Sequence, residues 1–121
     1  MKARVIDQWP RFAIVIDLEV SAAEQEYRKV ELILDTGFTG HIALPKSFYH
    51  ESMYTLKERF TLADDRAAEF QVGFFTVRSD ASIREEVPTV FMGSNLIGLS
   101  FLRGMHAAGR ISHDETIDLI L

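Results

Sequence analysis

An aspartate, a threonine and a glycine stand together once in this sequence, at Asp35-Thr36-Gly37, directly after the stretch Val30-Glu31-Leu32-Ile33-Leu34. A carboxylate at the end of a strand can serve as a general base toward water. A glycine two residues later lets the backbone turn tightly beside it. By itself such a triplet is ordinarily a strand end followed by a turn, so its surroundings carry the weight. Other residues offer less chemistry. There is no cysteine, which excludes disulfides, thiolate nucleophiles and cysteine-ligated zinc. The four histidines, His41, His50, His106 and His113, do not form the paired spacing of a zinc-binding helix, so no metal is expected. Ser112-His113-Asp114 contains the letters of a hydrolytic triad, but triad members meet through folding rather than as sequence neighbours. That stretch is expected to be a turn. Asp114, Glu115 and Asp118 lack calcium-loop spacing and are expected to form a solvated acidic turn.

The elements that must position Asp35 follow from apolar periodicity. Phe12, Ile14, Ile16, Leu18 and Val20 alternate with Asp17 and Glu19 on the other face, which predicts a half-buried strand over 12–20. Residues 21–27 are small and polar and suit a hairpin connection. Val30, Leu32 and Leu34 then share a face of a second strand that runs into the triplet. Pro45 is expected to open a short helix through about Met53. Strands over 59–62 and 70–77 flank Ala63-Asp64-Asp65-Arg66, where aspartates tolerate the left-handed backbone of a hairpin turn. Gly73 suggests a bulge, with Phe70, Val72 and Phe74 facing one way and Phe75 and Val77 the other. A turn over 79–82 leads to a strand over 87–92 despite Pro88. Leu99, Leu102 and Met105 mark a helix that Gly109 would stop. Residues 117–121 are expected to add a terminal strand. Phe60, Phe70, Phe74 and Phe75 are read first as core, and as cleft-lining second.

Taken together, the strand entering Asp35-Thr36-Gly37, the following Phe38-Thr39-Gly40-His41-Ile42-Ala43-Leu44-Pro45 and the later Asn95-Leu96-Ile97-Gly98-Leu99-Ser100-Phe101-Leu102 resemble the retropepsin-like aspartic peptidases. The likeness is strongest to the small bacterial and archaeal single-domain members. It implies an all-β acid-protease barrel with one or two short helices, one lobe per chain. It also implies that the apolar-apolar-glycine segment packs beneath the catalytic loop and opens the main helix. Asp35, Thr36 and Gly37 would be the catalytic triplet, with Thr36 bonding across a two-fold axis to its mate. Phe38, Thr39 and the flap residues Leu62, Ala63, Asp64 and Asp65 would meet substrate. Phe38 stands where viral members usually carry alanine or serine, so it would narrow the subsite beside the carboxylates. The acidic flap tip replaces a glycine-rich one, and Leu99-Ser100 replaces a polar pair.

Peptide hydrolysis by this route needs two carboxylates that share one proton. At about 3 Å apart they cannot both ionise easily, so the pair titrates in a lower and a higher step. This chain supplies one such aspartate. The pair therefore requires a second chain, and a symmetric homodimer provides it. The resemblance implies that residues 1–6 and 117–121 interleave at that interface, which Trp9 would also suit. The expected activity is an aspartic endopeptidase acting on peptide or unfolded polypeptide, with no cofactor. The alternative is a catalytically weak or inactive dimer that binds a peptide or partner on the same fold.

Bulk properties agree with this expectation. At 121 residues the chain is expected to be a single domain, 1–121. Its hydrophobic share of 47% and charged share of 26% are ordinary globular values. A net charge of -5 predicts solubility and disfavours nucleic acid as a partner. No apolar run approaches the roughly 20 residues of a membrane helix, so no membrane association is expected. The N-terminus lacks a signal core, which predicts a cytoplasmic location.

Overall fold

The computed structural model describes residues 3–8, 11–22, 26–61, 64–78 and 84–107. Eight strands form one sheet: β1 (Ala3–Gln8), β2 (Arg11–Ala22), β3 (Arg28–Leu34), β4 (Ile42–Leu44), β5 (Leu56–Thr61), β6 (Ala67–Arg78), β7 (Arg84–Phe91) and β8 (Leu96–Ile97). One short helix, α1 (Leu99–Ala107), follows β8. The expected all-β class therefore holds. None of the helices among the described residues is long and apolar enough to cross a membrane. The expected turn over 79–82, the stop at Gly109, the acidic turns over 112–118 and the strand over 117–121 lie outside the described residues, as does Trp9.

The strand order is β1-β2-β3-β8-β4-β7-β6-β5, and β2 pairs additionally with β6. The pairings thus return on themselves from β2 through β3, β8, β4, β7 and β6. β1 and β5 stand at the two ends of the order. Alternation explains β2 and β3 directly. Ile16, Leu18, Val20 and Ala22 are buried on one face of β2, and Val30 and Leu32 on β3 join them in the main core with Ile42, Leu44, Ile97 and Phe101. A second cluster of Phe38, Ala43, Val72 and Val90 packs on the other face of the sheet, with half-buried Phe60, Phe70, Met92 and Leu96 around it.

Three local expectations change, and one strand was not expected. The helix over 45–53 shrinks to one 3-10 turn, Lys46–Phe48, flanked by extended Pro45 and Tyr49. Past that turn, the His50 ring accepts the Ser52 N–H at 3.1 Å, a side-chain bond that competes with continuing the helix. Gly73 marks no bulge, because its strand pairs in unbroken register as Val72↔Val90, Gly73↔Thr89 and Phe74↔Pro88. An added Cβ at Gly73 would lie 2.7 Å from the Met53 methyl and 3.1 Å from the Phe91 ring, so the glycine makes room for packing. Around it β6 passes from one core to the other: Val72 faces the second cluster, Phe75 and Val77 face the main one, and Phe74 is left exposed. Finally, β1 is a strand within its own chain, paired with β2 from Ala3↔Ile16 to Gln8↔Arg11. Residues 3–6, expected at a subunit interface, therefore already use one edge. Arg4 secures this hairpin through a two-pronged contact with Asp17 at 2.7 and 2.9 Å.

The β5–β6 connection agrees with its sequence chemistry. Asp65 adopts φ 63, the left-handed region that aspartate tolerates. Asp64 accepts the Arg66 N–H at 3.2 Å and its guanidinium Nε–H at 2.6 Å, which closes the turn. Asp65→Val should destabilise the protein by about 1–2 kcal/mol, because a β-branched side chain is strained there. Asp65→Gly should stay within about 0.5 kcal/mol of the parent, as surface changes without strain do. Urea unfolding compares them; equal stability of the two variants would contradict the turn geometry.

Candidate functional site

Asp35 stands at the end of β3 and is half-buried. Its backbone is held by β8, the segment about 60 residues further on. The Asp35 N–H donates to the Ile97 carbonyl at 3.1 Å, and the Ile33 N–H donates to the Asn95 carbonyl at 3.0 Å. The Asn95 side chain donates to the Glu31 carbonyl at 3.3 Å. β8 runs parallel to β3 through Ile33↔Leu96 and Leu34↔Ile97, and antiparallel to β4 through Ile42↔Ile97 and Ala43↔Leu96. The chain that leaves β3 at Asp35 and the chain that enters β4 at Ile42 are therefore wedged apart by β8.

The turn between them is shaped by its own residues. Asp35 Oδ1 accepts the Gly37 N–H at 2.9 Å, and the Asp35 carbonyl accepts the Phe38 N–H at 3.1 Å. A Cβ at Gly37 would sit 3.3 Å from that carboxylate oxygen, so glycine leaves the space beside it open. The Gly98 N–H donates to the His41 carbonyl at 2.8 Å, and the Leu99 N–H to the Phe38 carbonyl at 3.2 Å. These contacts cap the start of α1, whose first N–H groups would otherwise lack partners. A Cβ at Gly98 would press on the Gly40 carbonyl oxygen and lie 2.6 Å from that of Phe38, so only glycine fits.

Asp35, Gly37, Phe38 and Thr39 form one side of a cleft of about 200 Å³. Phe60 and Thr61, from the end of β5, and Met92 and Leu96 form the rest. A larger depression of about 350 Å³ lies over Phe48, Tyr49 and Phe75, away from Asp35. The smaller cleft is the chemical candidate because the strand-end carboxylate opens into it.

Of the residues named from sequence, Asp35, Gly37, Phe38 and Thr39 thus come together. Thr36 is exposed on the turn and does not line the cleft. Phe38 is only 8% exposed: its edge borders the cleft while its ring packs into the second core cluster, in space left by Gly40 and Gly98. Asp64 and Asp65 are exposed at the hairpin end and lie off the cleft wall. Leu62 and Ala63 are outside the described residues. Phe60 was read first as core and is both core-packed and cleft-lining; Phe70, its ring neighbour at 6.1 Å, backs it. Met92 and Leu96 were not singled out. Leu96 carried a signal as the first residue of the apolar-apolar-glycine segment, whereas Met92 carried none beyond ending a strand.

Among the described residues, no other titratable side chain lines this cleft. His41 is half-buried on the far side of the loop, beside Glu86 and Ser100, and burial lowers its pKa below the usual histidine value. His50 bonds to Ser52. Among the described residues no group of three His, Cys, Asp or Glu side chains is placed to hold a metal ion. Among the described residues the cleft therefore offers one carboxylate, apolar and aromatic walls, and a turn held by backbone hydrogen bonds. No protein-family model matches this chain, and no curated protein matches it.

Proposed function

We propose that this chain is an aspartic endopeptidase of the retropepsin-like kind, active as a homodimer. The observation that carries the proposal is the Asp35 carboxylate, held by the Gly37 N–H and opening into a cleft walled by the turn on one side and β5 on the other. One carboxylate per chain is half of the chemistry. In the dimer, Asp35 takes a proton from water as that water attacks the scissile carbonyl. Asp35 of the partner subunit, protonated, donates to the carbonyl oxygen to give a tetrahedral diol. As the diol collapses, Asp35 passes the proton it took from water to the amide nitrogen, the C–N bond breaks, and the diol returns a hydroxyl proton to the partner's Asp35.

The rest of the fold suits this role. The circuit of pairings through β2, β3, β8, β4, β7 and β6 supports a closed barrel as the lobe. Exposed Thr36 is free to reach the two-fold axis. β5 pairs only with β6 among the described residues, so its outer edge suits an extended substrate that adds a strand. The acidic flap tip is less hostile than its letters suggest, since Arg66 offsets the charge of Asp64.

The test pairs two measurements on the purified chain: sedimentation across concentration, and cleavage of an unfolded polypeptide at mildly acidic pH. A dimer that cuts is expected. A dimer that binds peptide without turnover would make it the binding module instead, and a monomer that cuts equally well would overturn the shared-site chemistry.

A further inference from the structure

Ser100 is the second residue of α1, yet its hydroxyl does not serve the helix. Its Oγ donates instead to the carbonyl of Thr39 at 2.5 Å. Beside it, the Leu99 N–H holds the Phe38 carbonyl and the Gly98 N–H holds the His41 carbonyl. Three consecutive residues, 98–100, thus hold three carbonyls of the 38–41 segment. Two of those donors are backbone groups that almost any residue supplies. The third depends on a side chain.

A trans peptide fixes its carbonyl and the next N–H in opposite directions within one plane. Tying the Thr39 carbonyl to Ser100 therefore sets the plane of the Thr39–Gly40 peptide, on the loop that borders the Asp35 cleft. We infer that Ser100 is a positioning residue: its hydroxyl holds this peptide plane, and with it the Thr39 side of the cleft, in the orientation that a bound polypeptide meets. The inference rests on the reading of that cleft as a peptide site. Losing the hydroxyl frees the Thr39 carbonyl, while the backbone bonds at Phe38 and His41 keep the loop ends in place. The consequence is local to binding. Chemistry at Asp35 is left intact, because its own contacts run to Gly37, Ile97 and the Phe38 N–H, and Phe38 keeps its bond to Leu99.

Ser100→Ala and Ser100→Thr separate the possibilities. In Ser100→Ala, KM should rise about 3- to 10-fold, the worth of one neutral hydrogen bond, with kcat within about twofold. Ser100→Thr keeps a hydroxyl and should recover most of that loss. In parallel, the Thr39 carbonyl-carbon resonance should move upfield in Ser100→Ala and return toward the parent position in Ser100→Thr. A purely structural role would lower the melting temperature of Ser100→Ala without moving KM. Unchanged KM in Ser100→Ala, or no recovery in Ser100→Thr, overturns the inference. If the parent chain shows no turnover, the peptidase reading fails on its own. Peptide affinity and the Thr39 resonance then decide for or against Ser100.

Discussion

Asp35→Asn should abolish peptide cleavage, lowering kcat/KM by about 10²- to 10⁴-fold or more, while leaving the fold in place. The magnitude is that of a lost general acid–base function, since asparagine neither accepts the proton of attacking water nor donates a carboxylic proton. The fold should survive because the carboxamide oxygen can still accept the Gly37 N–H that now reaches Oδ1. The Asp35 backbone also keeps its bond to Ile97. Melting temperature and the near-ultraviolet spectrum check that point. Mixing gives a sharper version. If each site needs one carboxylate from each chain, equal amounts of parent and variant, allowed to exchange partners, leave about a quarter of the dimers intact. Activity should fall to about that fraction of an all-parent sample of the same total concentration. A fall only to one half would mean that each chain works alone. Parent-level activity in pure Asp35→Asn would remove Asp35 from the mechanism.

Gly98→Ala should be the most damaging change of a single methyl group. The new carbon would press against the carbonyl oxygens of Gly40 and Phe38 and lie 2.8 Å from the Phe38 ring. Two of these neighbours are backbone, so neither can swing aside as a flexible side-chain end would. Overpacking of this kind costs about 1–3 kcal/mol. The shift needed to relieve it also strains the Gly98–His41 and Leu99–Phe38 hydrogen bonds, each worth about 0.5–1.5 kcal/mol. A total of about 2–6 kcal/mol is a large part of the 5–15 kcal/mol that typically holds a domain together. The melting temperature should drop by on the order of 10 °C. Gly93 and Gly104 are the controls, since an added Cβ meets nothing within 4 Å at either. Gly104→Ala, inside α1, should even stabilise by about 0.5–1 kcal/mol. A Gly98→Ala protein that melts with the parent would mean that the close approach is not real.

Much of this was legible where local pattern decides structure. Alternation from Phe12 to Val20 marks β2, and Asp64-Asp65 marks the turn that carries Asp65 at φ 63. The start of α1 after Gly98 is likewise plain in its apolar spacing. Less legible was whatever depends on who lies beside whom. Ala3–Gln8 has only Val5 and Ile6 as strong apolar residues, and it becomes a strand because β2 offers an edge and Asp17 a partner for Arg4. Pro45 suggested a longer helix, but the backbone extends at Tyr49, whose ring packs edge-on against Phe91 at 5.8 Å. The site divides in the same way. Its acidic triplet could be named from the sequence, whereas its walls come from four separate stretches that the sheet order brings together.

The two-residue strand β8 also governs when the site can exist. Its pairing of Ile33 with Leu96 joins positions 63 apart in sequence. Closing so long a loop costs conformational entropy before any contact repays it, which makes such pairings late events in folding. During synthesis, β3 and the turn at Asp35 emerge well before the segment that clamps them. Until then the turn lacks its bonds to Ile97, Gly98 and Leu99. The cleft is therefore a product of the nearly finished fold, and a half-made chain carries the carboxylate without the geometry to use it.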